Sequence, residues 1–114
     1  MPVGSDSART FCQIMKMYIL IRESVSPGFA ALAAAHASLA CYRKFEEDPE
    51  VQEWVSGRFF KAICAVSDDE FQRAKDFEDN IVLTESALDN QEVAIAFKPR
   101  SDYPKAFRFF KLYR

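Results

Sequence analysis

An alanine-packed stretch limits what this chain can become. Residues 27–42 read Pro-Gly-Phe-Ala-Ala-Leu-Ala-Ala-Ala-His-Ala-Ser-Leu-Ala-Cys-Tyr and hold the only histidine, His36. Alanine has the best intrinsic helix propensity. Pro27 suits a first helical turn, where its missing N–H is not needed. A helix of alanines has a thin waist and can lie close to a sheet. Just upstream, residues 17–21 (Met-Tyr-Ile-Leu-Ile) form an apolar run of β-formers, the pattern of a strand buried on both faces. Together they predict an α/β domain with a helix from about Pro27 to about Phe45 lying on a sheet.

The rest of the chain extends this pattern. Phe29, Leu32, His36 and Leu39 recur at spacings of three and four, so His36 is expected on an apolar stripe facing the core. Pro49 stops the helix, and residues 50–55 suggest a second, with Val51, Trp54 and Val55 inward and Gly57 ending it. Residues 59–66 read as a second strand. Ser67 with Glu70 three residues later is a capping-box signature for a helix with Phe71, Ala74 and Phe77 inside. Residues 80–84 and 91–97 read as strands three and four around a turn-rich loop. Their short connection suits an antiparallel hairpin, whereas the helical crossovers imply parallel pairs. Residues 105–113 are expected to form a last short helix. The expected fold is a mixed four-stranded sheet sandwiched by helices, with residues 1–14 a flexible N-terminal tail and 15–114 a single domain.

Composition excludes several functions. The net charge of −2 gives no support to a nucleic-acid binder, which usually shows a basic excess on at least one face. Cys12, Cys41 and Cys64 are scattered without a CxxC pair, which points to reduced thiols, a cytoplasmic location, and neither metal nor cofactor. The run 29–42 is too short and alanine-rich to cross a bilayer, and the N-terminus lacks a signal-peptide pattern, so no membrane is expected. Neither a glycine phosphate fingerprint nor a nucleophile elbow occurs.

The order of these segments carries a resemblance. Tyr18-Ile-Leu-Ile-Arg22, a glycine-containing loop, Ala33-Ala-Ala-His-Ala37 and Tyr42 resemble type II peptidyl-tRNA hydrolases, and roughly residues 16–114 follow that family's outline. The resemblance implies a peptidyl-tRNA hydrolase II-like fold, tRNA as partner, a homodimer, and hydrolysis of the ester joining a peptide to the tRNA 3′ ribose. His36, Ala37 and Arg22 match family positions, and the family's loop acid falls on Glu85. The family's lysine falls on Phe29, its glutamine on Ala33, and its strand threonines near Gln91 and Val93. Ester hydrolysis needs an oriented or activated water and donors on the oxyanion. Phenylalanine and alanine supply neither, so a divergent protein without full hydrolase activity is expected. The alternatives are an active ester hydrolase and a non-catalytic RNA- or protein-binding module.

The candidate catalytic residues are His36, Glu85 and Arg22. His36 is a general base or a semi-buried core residue bonded to a carbonyl. Glu85 orients water, binds a ribose hydroxyl, or is a solvated carboxylate. Arg22 binds phosphate or pairs with Glu85. The candidate RNA-binding residues are Lys98, Arg100, Lys105, Arg108 and Lys111. Lys105, Arg108 and Lys111 are three apart and would form one helical ridge, interleaved with Tyr103, Phe107, Phe109, Phe110 and Tyr113. The competing assignment makes those aromatics core and the cations a solvated rim.

Overall fold

The computed structural model describes residues 14–114, so the expected tail lies outside the described residues apart from Ile14. The apolar run becomes β1 (Met17–Arg22), buried along nearly its whole length. Its place in the sheet explains its composition. β1 lies parallel to β2 (Lys61–Val66) and antiparallel to β4 (Gln91–Phe97), which forms a hairpin with β3 (Asn80–Glu85). A further strand, β5 (Lys111–Leu112), completes a five-stranded sheet in the order β3-β4-β1-β2-β5.

Strand side chains alternate between faces, and the two cores follow that rule. Met17, Ile19 and Ile21 pack with α1 (Pro27–Phe45) and with Trp54 of α2 (Pro49–Ser56). Tyr18 and Leu20 pack on the other face with Phe71 of α3 (Asp68–Ala74) and with Phe107. Helices therefore cover both faces. The capping box at Ser67 and Glu70 is formed as expected, each side chain accepting from the other residue's backbone N–H.

Three expectations need correction. First, α1 presents a different face. Its buried residues are Ala30, Ala33, Ala37 and Cys41, while Leu39 is 61% and Leu32 43% exposed, and His36 is exposed. The helix is turned so that its smallest residues meet the sheet. Backbone then approaches backbone, and the many close contacts outweigh burial of two leucines.

Second, the sheet has five strands and no helix spans 105–113. Lys105–Phe109 forms a 3₁₀ turn, and the chain then pairs with β2, Leu112 opposite Cys64 and Lys111 opposite Ala65. The Tyr113 N–H donates to the Ile63 carbonyl at 2.8 Å. An open β2 edge offers unpaired backbone groups, and satisfying them wins over a short terminal helix.

Third, β2 begins at Lys61, not Phe59. Phe59 has φ of +36°, outside strand geometry. Its N–H donates to the Trp54 carbonyl, and the Trp54 indole N–H donates to the Phe60 carbonyl at 2.9 Å. The helix end thus holds Phe59, and pairing with β1 begins where the Phe60 carbonyl also accepts the Met17 N–H at 3.0 Å.

Candidate functional site

His36 and Glu85 do line one cleft. It has a volume of about 300 Å³ and lies between α1, which supplies His36, Leu39 and Arg43, and the end of β3, which supplies Thr84 and Glu85. Arg43 was not among the expected residues. Its signal was available, because a residue seven after His36 shares its helical flank.

The chemistry of this cleft is modest. Glu85 is half-buried, and its Oε2 accepts the Ala87 N–H at 3.1 Å, capping the short 3₁₀ turn Ser86–Leu88 that links β3 to β4. His36 is exposed on α1 and Thr84 is exposed on β3. A fixed base with an orienting partner is therefore not assembled among the described residues.

Arg22 lies elsewhere. It follows Tyr18 and Leu20 in the alternation of β1, so it projects to the face opposite α1. Its guanidinium sits 4.6 Å from the centre of the Phe71 ring, and its Nη1 donates to the Glu92 carbonyl at 3.1 Å. Its Nε is 3.4 Å from Asp68 Oδ1, an ion-pair distance that lacks hydrogen-bond geometry, so that N–H is buried without an acceptor among the described residues. Arg22 thus faces Asp68 and not Glu85, with the sheet between it and His36.

The expected RNA-binding cations are also divided. Lys98 Nζ lies 2.9 Å from Asp48 and 3.7 Å from Asp79, and Arg100 lies 3.2 Å from Asp102. Lys105 and Arg108 are exposed, and in a 3₁₀ turn residues three apart eclipse, so they share one side of the turn. Lys111 does not join them. It shares a side of β5 with Tyr113, which packs in the α1-side core.

The Lys98–Asp48 pair sets an expected pH dependence. The hydrogen bond from Lys98 holds the Asp48 carboxyl below its ordinary value, and the same bond raises Lys98 above its own. The Asp48 contribution is present above the unfolded carboxylate value and is lost as pH falls through the lower folded one. The Lys98 contribution is present below the unfolded lysine value and is lost as pH rises through the higher folded one. Denaturation midpoints should therefore fall on acidification through the carboxylate range, and Lys98→Met should flatten that acid limb. An unchanged acid limb in this variant would count against the pair.

Neither buried thiol is poised as a thiolate. Burial pushes Cys41 up to about 12 and Cys64 up to about 11, far from the thiolate form at neutral pH. Among the described residues no group of three or more His, Cys, Asp or Glu side chains is placed to hold a metal ion. No described helix is long and apolar enough to cross a membrane. No protein-family model matches the chain, and no curated protein matches it.

Proposed function

We propose that the chain is a non-catalytic RNA-binding domain on a peptidyl-tRNA hydrolase II-like framework, lacking full hydrolase activity. The observation that carries this reading is the separation of Arg22 from His36 and Glu85 by the sheet. Ester hydrolysis requires the base, the water and the oxyanion donors to converge within hydrogen-bond reach. Here one candidate is remote, Glu85 caps its own turn, and Phe29 and Ala33 hold the positions of the family's lysine and glutamine.

The RNA part is supported by the free cations. Lys105 and Arg108 enter no ion pair among the described residues, and neighbouring Phe109 is 83% exposed. Cations hold phosphates, and an exposed ring stacks a base. The partner that the resemblance implies is tRNA, bound by a cytoplasmic homodimer.

The test is incubation of the purified protein with peptidyl-tRNA. No cleavage above the buffer rate is expected, together with tRNA retention that weakens as salt rises and weakens further in Arg108→Glu. Turnover that disappears in His36→Ala or Glu85→Gln would restore the hydrolase reading. Failure to retain tRNA at low salt would remove the RNA part.

A further inference from the structure

We propose that Lys16, Tyr18 and Arg108 form a binding site for the phosphate of a nucleotide, either free or within an RNA strand. This deepens, and rests on, the RNA-binding reading above. The site is a pocket of about 230 Å³ lined by Lys16, Tyr18, Ser101, Tyr103, Phe107 and Arg108, with Ile14 and Pro104 at its margin.

Charge is the first argument. The chain carries 17 acidic and 15 basic residues, yet among the described residues no carboxylate lines this pocket. Arg22, Lys75, Lys98 and Arg100 each face an acid. Lys16 and Arg108 face none among the described residues. Two unneutralised cations on one concave wall of an acidic protein repel each other and favour an anion between them.

Rigidity is the second argument. Lys16 exchanges both backbone hydrogen bonds with Arg100 at 3.2 Å, and its Nζ lies 5.4 Å from the centre of the Tyr18 ring. The Tyr103 hydroxyl, among the carbonyls of Lys98 at 2.6 Å, Lys16 at 3.0 Å and Phe97 at 3.4 Å, pins the pocket wall. Tyr103 stacks on Phe107 with ring centres 5.1 Å apart, and Phe107 in turn fixes the turn bearing Arg108. Such a wall loses little freedom on binding. Burial raises the Tyr18 phenol above its ordinary value, so it stays a proton donor.

Size is the third argument. Pockets for drug-sized ligands typically span about 300–1,000 Å³. A smaller pocket with aromatic walls fits one phosphate-bearing unit better than an extended cofactor. Lys16 escaped the sequence reading because its neighbours here come from strand pairing across 84 residues, as the Lys16–Arg100 bridge shows.

Calorimetric titration with AMP and adenosine tests the site on the intact chain. AMP should bind, with Lys16→Ala and Arg108→Ala each weakening binding about tenfold, the scale of one charge-assisted hydrogen bond, and adenosine, which lacks the phosphate that both cations hold, binding about a hundredfold more weakly. Tyr18→Phe should weaken AMP binding several-fold, and Lys44→Ala, on α1 and away from the pocket, should leave it unchanged. Circular dichroism should be unaltered in all four variants. A single-stranded RNA dodecamer distinguishes the sources. If it binds more tightly than AMP with the same dependence on Lys16, the phosphate comes from a strand; if AMP binds more tightly, from a free nucleotide. Equal binding of AMP and adenosine, or variants without effect, would overturn the site. tRNA retention that survives Lys16→Ala but not Lys105→Ala would overturn the site and leave RNA binding standing. AMP binding without any RNA retention would do the reverse.

Discussion

Phe107→Ala is expected to remove about 3–5 kcal/mol of folding stability, the range for truncating a fully buried phenylalanine. Phe107 is 1% exposed. Its ring centre lies 5.0 Å from that of Phe97, 5.1 Å from those of Tyr18 and Tyr103, and 5.2 Å from those of Phe77 and Phe110. It therefore joins β1, β4, the segment after α3 and the C-terminal segment at one point. Alanine there leaves a cavity lined by rings that cannot collapse without moving two strands. Urea titration should show a lower midpoint at unchanged slope, the signature of lost stability without lost cooperativity. Phe109→Ala is the control: with 83% of its surface exposed it should shift stability by no more than about 0.5 kcal/mol. Equal effects of the two changes would mean that the C-terminal turn is not held by Phe107.

The contrast between Phe107 and Phe109 shows what the residues alone left open. Aromatics interleave with Lys105, Arg108 and Lys111 along the C-terminal segment, and a helical ridge and an edge strand both accommodate that pattern. The choice was made by the free edge of β2, which lies some fifty residues away in the chain and leaves no mark on residues 105–113. Local signals did better. The unbroken apolar run of β1, the Ser67–Glu70 capping box and the close hairpin of β3 and β4 are all written within a few residues, and all were legible. Site residues were legible in part. The sequence put His36 and Glu85 in one polar centre only through the family resemblance, and both line the α1–β3 cleft. It did not place Arg22, because alternation along β1 divides residues between two faces without saying which face receives α1.

Ala37→Leu is expected to destabilise the protein by about 1–3 kcal/mol through overpacking. Ala37 is fully buried where α1 meets the sheet, in line with Ala30, Ala33 and Cys41. Leucine is nearly as good a helix former as alanine, so the loss comes from the contact and not from the helix. Three added carbons must either lift α1 off β1 and β4 or force a strained rotamer. For a domain of roughly 100 residues that loss corresponds to a melting temperature lower by about 4–20 °C. Leu39→Ala, on the outer flank at 61% exposure, should change stability by only about 0.5 kcal/mol. The pair of variants decides which face of α1 is inside. A burial stripe through Phe29, Leu32, His36 and Leu39 predicts the opposite order, with Leu39→Ala the damaging change and Ala37→Leu tolerated. Only the alanine face leaves His36 and Arg43 beside Thr84 and Glu85 in an open cleft, so the same measurement also checks the geometry on which the non-catalytic reading stands.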